Sequence, residues 1–137
     1  MNKDINCLLV EDNVAYASLI EKGFRANGFE SIRHFENGQE ILDFLFDHRN
    51  SPDLILSRNI ILLDIHMPKV DGFEVLRRIK SDEMLRSIPV IMHTTVDNDD
   101  AIDRCNKIGC DGFIVKSPYI CEVLKKLDGF LTHRKWN

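Results

Sequence analysis

The hydrophobic positions along the chain fall into two alternating patterns. Short, nearly unbroken apolar runs rich in Ile, Val and Leu occur at Ile5–Val10, Ile60–Leu63, Val90–Met92 and Phe113–Val115. Such runs predict strands buried on both faces, as in a parallel sheet. Between them the apolar residues recur at helical spacing. Val14, Ala17, Ile20 and Phe24 make one stripe, closed by Asn27-Gly28 as a helix stop. Ile41, Phe44, Leu45 and His48 make a second after the Asn37-Gly38 turn, and Phe73, Leu76 and Ile79 a third. Ala101, Cys105 and Ile108 form a fourth, ended by Gly109. Ile120, Val123, Leu124, Leu127 and Leu131 follow as the most regular stripe.

The segment Phe29–Phe35 is more polar, with Arg33 and His34 in it, and predicts an edge strand. The chain therefore reads as five strand–helix units in series, each helix long enough for a right-handed crossover. That order predicts an α/β fold: a doubly wound, five-stranded parallel sheet with five helices on its two faces. One stretch, Arg49–Asn59, breaks the rhythm. Its Leu54-Ile55-Leu56 reads as a short extra strand or an apolar patch on a loop.

With 137 residues, the expectation is a single domain over 1–137, because a chain of this size builds one core and buries roughly 70% of its unfolded surface. The 44% hydrophobic and 29% charged content is that of a globular chain. A net charge of −4 argues against a nucleic-acid partner, which needs a basic patch to displace counterions. The short basic clusters (Arg77, Arg78 and Lys80; Lys125 and Lys126; Arg134 and Lys135) read as solvated helix faces. Cys7, Cys105, Cys110 and Cys121 show neither a CxxC pair nor zinc-finger spacing, which predicts four buried thiols in a reducing compartment. No apolar run approaches a signal-peptide core or the ~20 residues of a membrane span. These features predict a cytoplasmic protein with no membrane association.

In an open α/β sheet, ligands bind beyond the carboxyl ends of the strands. The first strand ends in Glu11-Asp12, the third in Asp64, the fourth in Thr94 (or Thr95) and the fifth in Lys116. Each residue alone has an ordinary explanation as a helix cap or strand end. Three carboxylates, a hydroxyl and a lysine at one sheet edge together point to chemistry. Crowded carboxylates resist ionisation unless a hard cation joins them, and magnesium prefers such oxygen ligands.

Four segments carry a resemblance: Val10-Glu11-Asp12-Asn13, Leu62 through Gly72 (with Asp64, Met67-Pro68 and Asp71-Gly72), Ile88 through Thr94, and Gly112 through Lys116. In order and spacing they resemble the receiver domain of bacterial two-component response regulators. The likeness covers nearly the whole chain and is strongest to stand-alone, chemotaxis-regulator-like receivers, including those that serve phytochrome kinases. It implies a flavodoxin-like sheet of strand order 2-1-3-4-5 and a phosphoacceptor switch with weak self-phosphorylation and self-dephosphorylation activity. Asp64 would accept a phosphoryl group from a histidine kinase in a magnesium-dependent step. Asp12 and Asp64 would contact Mg2+ directly and Glu11 through water, with the main-chain carbonyl of His66 as a further ligand. Lys116 and Thr94 would hold phosphoryl oxygens, and Thr94 with Phe113 would form the switch. Asp53 sits in a similar Pro-Asp-Leu-Ile-Leu string, but only Asp64 has Met67-Pro68 and Asp71-Gly72 behind it.

The sequence departs from the family pattern at four places. His66 stands where a small polar residue is common, and Phe113 where many members carry tyrosine. Ser117 replaces the usual proline after Lys116, leaving open whether that bond is cis. The Arg49–Asn59 stretch is long, leaving the start of the third strand open. Fast-hydrolysing members hold a water with polar side chains at the positions of His66 and Val96, so this pair implies slow self-dephosphorylation. The resemblance also implies output through a protein contact or a homodimer on the face built by the fourth stripe, the fifth strand and the last helix. A downstream protein or a phosphotransfer protein would receive the signal, since the chain ends at Asn137 without an effector domain.

Three other readings compete with the receiver. A haloacid-dehalogenase-type phosphatase also uses an aspartyl phosphate and magnesium, but it carries an acid two residues after a nucleophile on its first strand; here that place holds His66 on the third. A degenerate receiver acting as a phosphorylation-independent binding module conflicts with the intact Glu11, Asp12, Asp64, Thr94 and Lys116. A flavin-binding flavodoxin-like domain lacks support, because no Ser/Thr/Gly-rich phosphate loop follows the first strand.

Overall fold

The computed structural model describes residues 4–95 and 98–133. Five strands form one parallel sheet in the order β2-β1-β3-β4-β5. They are β1 (Ile5–Val10), β2 (Ser31–Phe35), β3 (Arg58–Leu63), β4 (Val90–Thr94) and β5 (Gly112–Val115). The described helices are α1 (Val14–Ala26), α2 (Gly38–His48), α3 (Pro52–Leu56), α4 (Gly72–Ser81), α5 (Asp99–Ile108) and α6 (Ile120–Thr132).

Two cores flank the sheet because alternate strand residues face opposite sides. Leu8, Val10, Ile61, Leu63, Val90 and Met92 meet the apolar stripes of α2, α4 and α5. Cys7, Leu9, Ile60, Leu62, Ile91 and Ile114 meet those of α1 and α6. Helix ends follow from local chemistry. The Asn13, Asn37, Asp71 and Asn98 side chains each accept an N–H from the first turn of the helix they precede. Gly109 ends α5 at φ 118, a left-handed conformation that suits glycine.

Several expectations need correction. There are six described helices, because Arg49–Asn59 contains the short helix α3 in place of a strand or loop patch. Ser51-Pro52 starts it with proline at a first-turn position, where a missing N–H costs nothing. The buried Asn59 amide then donates to the carbonyls of Leu54 (2.8 Å) and Ser57 (3.3 Å), fixing the exit into β3. That strand begins at Arg58, two residues earlier than its apolar run suggests. In α2, Leu42 is buried and His48 is exposed, so the stripe is rotated from its predicted line. Cys7 and Cys105 are buried, but Cys110 is half-buried and Cys121 exposed. The bond between Lys116 and Ser117 is trans. No described helix is long and apolar enough to cross a membrane.

Candidate functional site

The sheet register builds the site. Val10 of β1 lies beside Phe35 of β2 and Leu63 of β3. One residue further, the Glu11 amide donates to the Phe35 carbonyl (3.0 Å) and the Asp64 amide to the Val10 carbonyl (3.1 Å). The carboxylates of Glu11, Asp12 and Asp64 thereby converge, with one oxygen of each within 4.8 Å of the others. Thr94 closes β4 and is fully buried, and its carbonyl accepts the Lys116 amide at 2.9 Å. Glu11 and Asp64 are buried, while Asp12 is open to solvent.

The turn after Asp64 is held tightly. The Gly72 amide donates to the Ile65 carbonyl (2.8 Å), and Asp71 caps α4 through the Glu74 amide (3.0 Å). A Cβ on Gly72 would stand 2.3 Å from the Asp64 carbonyl oxygen and 2.7 Å from the Ile65 Cα. Lys69 takes φ 68, the one positive value among described non-glycine residues. The turn therefore needs glycine for close approach, and it clamps the Asp64 backbone.

Lys116 Nζ bridges the two buried carboxylates, at 2.6 Å from Glu11 Oε1 and 3.1 Å from Asp64 Oδ2. The His66 amide donates to Asp64 Oδ1 (3.4 Å) and the Asn13 amide to Glu11 Oε2 (3.1 Å). Burial raises the Glu11 pKa above its ordinary range, outweighing Lys116 and the Asn13 amide. Burial alone would lower Lys116, but the Glu11 and Asp64 carboxylates outweigh it and hold the ammonium charged. The direction at Glu11 signals a desolvated anion that one ammonium does not fully compensate. Its Oε1 receives no hydrogen bond of regular geometry and faces the ammonium as an ion pair. Three converging carboxylates, two of them buried and sharing a single ammonium, form an all-oxygen donor set that fits a hard divalent cation.

A family model, the response regulator receiver domain, matches residues 7–128. The chain belongs to that family. The probable methanogenesis regulatory protein FilR2 of Methanothrix harundinacea is 40% identical over 120 residues, covering 87% of this receiver and 76% of its own length. The phosphorylated cyanobacterial phytochrome response regulator RcpA is 29% identical with a TM-score of 0.78, over 98% of each chain. The Mn(2+)-bound form of response regulator Rcp1 is 29% identical with a TM-score of 0.75, over 95% of this receiver and 93% of that chain. Receiver domains are phosphoacceptor switches of two-component systems, and the phosphatase, flavodoxin and degenerate readings are not favoured.

All five sequence-predicted side chains reach the same sheet edge, but they are not equivalent. Glu11, Asp12, Asp64 and Lys116 form one cluster. His66 is exposed beside it, and Val96 lies outside the described residues. Phe113 is half-buried against the α5 side of the sheet and pairs with Met92, so strand alternation puts it on the same face as Thr94. Asp53 is exposed in the first turn of α3, away from the cluster. Sequence reasoning missed Tyr16 and His93, which meet behind Lys116 with ring centroids 5.7 Å apart. A histidine set between the apolar Val90–Met92 run and Thr94 was the available signal.

Proposed function

We propose that this receiver, acting as a single domain over residues 1–137, carries its phosphoryl group on Asp64. The observation that carries the reading is the bridge from Lys116 to both Glu11 and Asp64, which couples the nucleophile to a fixed positive charge. Phosphoryl transfer to a carboxylate needs charge neutralisation and positioning more than covalent help. An Asp64 oxygen bonds to phosphorus as the bond from phosphorus to the donor imidazole of a histidine kinase breaks. Lys116 then shifts its charge towards a phosphoryl oxygen, and the Thr94 hydroxyl bonds another.

Glu11, Asp12 and Asp64, with the main-chain carbonyl of His66, would hold Mg2+, whose charge neutralises the crowded oxygens during transfer. The protein would transfer phosphate from small donors weakly and dephosphorylate slowly, because by resemblance His66 flanks the approach of water and partly fills it. Its setting is the cytoplasm, with a sensor histidine kinase upstream. Downstream stands a protein target, a phosphotransfer protein or a second copy of the chain, met on the α5–β5–α6 face without nucleic acid. The test is intact mass after incubation with acetyl phosphate, with and without magnesium. The unmodified protein should gain one base-labile phosphate only with magnesium. Equal labelling of Asp64→Asn overturns the assignment.

A further inference from the structure

Tyr16 is tied to the candidate site at three points. Its amide donates to the Asn13 side chain (3.0 Å), and the Asn13 amide in turn holds Glu11 Oε2. Its hydroxyl donates to the Ser117 carbonyl at 2.9 Å. Its ring lies under Lys116, with Nζ 5.3 Å from the centroid, within cation–π range. Lys116 is thus fixed on both sides along the backbone: its own amide is bonded to Thr94, and the next carbonyl is bonded to Tyr16.

His93 completes the junction. It is buried, with Nε2 3.4 Å from the Tyr16 oxygen. Burial, with the nearby Lys116 charge, pushes its pKa down to about 3, so the ring is neutral. The Tyr16 hydroxyl has one proton, and the Ser117 carbonyl can only accept it. Nε2 therefore carries the imidazole proton and donates to the Tyr16 oxygen. Donor, hydroxyl and carbonyl form a directed chain from β4 through α1 to the loop that carries Lys116.

We propose that Tyr16, oriented by His93, is a positioning residue that sets where the Lys116 ammonium stands relative to Asp64. This rests on Asp64 as phosphoacceptor and Lys116 as its charge partner. Without the hydroxyl, the Ser117 carbonyl loses its bond and the loop gains freedom, while the carboxylate cluster keeps every ligand atom.

The experiment compares Tyr16→Phe, Lys116→Ala and the double variant for the rate of labelling by acetyl phosphate, with calorimetric magnesium affinity alongside. Tyr16→Phe should slow labelling roughly three- to tenfold, the range of one ordinary hydrogen bond, and leave magnesium affinity within twofold. In the Lys116→Ala background the same change should have no further effect, as expected for a residue that acts through Lys116. In the unlabelled protein, Tyr16→Phe should also shift the Lys116 13Cε–1Hε NMR signal. Unchanged labelling by Tyr16→Phe, or an equal slowing in both backgrounds, overturns the inference. An unmoved Lys116 signal overturns it independently of any phosphoryl transfer. Failure of the unmodified protein to label at Asp64 would instead sink the underlying assignment.

Discussion

Replacing Lys116 with methionine tests the electrostatics of the site without any phosphodonor. The substitution keeps an unbranched side chain out to the ε position and removes the ammonium that bridges Glu11 and Asp64. Glu11 is fully buried, so it loses its counter-charge in a low-dielectric setting. Breaking a buried pair by removing one partner costs about 3–5 kcal/mol; the open Asp12 side of the cluster argues for the lower end. At a urea slope near 2 kcal/mol/M, a loss of about 3 kcal/mol lowers the unfolding midpoint by roughly 1.5 M. The loss should depend on pH with a definite sign. The folded pKa of Glu11 already lies above its unfolded value of 4.5 and rises further in the variant. The native state then binds more protons than the unfolded state between those two values, so the variant regains stability as pH falls through that window. Magnesium should stabilise the variant more than the unmodified protein, because no ammonium competes for the carboxylates. At a hundredfold excess over the dissociation constant, one bound ion contributes about 2.7 kcal/mol, enough to restore most of the loss. Urea titrations at about pH 5 and pH 7.5, with and without magnesium, measure all of this. A midpoint shift identical at both pH values and indifferent to magnesium would refute the reasoning.

Three further outcomes follow from the same geometry. His93 stays neutral in the fold to about pH 3 but takes up a proton near 6.5 when unfolded, so stability should fall as pH drops below 6.5. Between pH 7.5 and 5 this contributes about 2 kcal/mol of loss, and His93→Leu should show a correspondingly flatter profile in urea titrations. Gly72→Ala drives a Cβ into the Asp64 carbonyl and should cost about 2–3 kcal/mol, read as a drop in Tm of roughly 10 °C; an unchanged Tm would mean that the turn is slack. Phe113→Tyr should leave coupling to the α5–β5–α6 face intact while Phe113→Ala removes it. Amide hydrogen exchange with and without beryllofluoride and magnesium reads this, and protection changes confined to the Asp64 loop in the unmodified protein would contradict it.

Much of this was legible in the sequence because the strands are buried on both faces and leave continuous apolar runs. Glu11, Asp64 and Lys116 stand directly at the ends of those runs and Thr94 one residue further on, where the topology of a parallel sheet brings them together. The short helix α3 was not legible. Three consecutive apolar residues carry no periodicity, and the Ser51-Pro52 start was the sole cue. Edges were also blurred: β3 begins at Arg58 and Asn59 because neighbouring β1 continues to pair there, with Ile5 opposite Arg58, whatever the polarity of those residues. The Tyr16–His93 junction joins residues 77 positions apart through a hydroxyl and a ring. No local pattern encodes such a contact, although a histidine within an apolar strand hints that a polar partner is waiting.

Reductive trapping of the phosphorylated site gives the most direct test. Borohydride converts an aspartyl phosphate to homoserine, which peptide mass spectrometry locates to a single residue. After incubation with acetyl phosphate and magnesium, homoserine should appear at position 64 and nowhere else, and it should vanish when magnesium is chelated. Homoserine at position 12 or 53, or equal yield without magnesium, would contradict Asp64 as the phosphoacceptor.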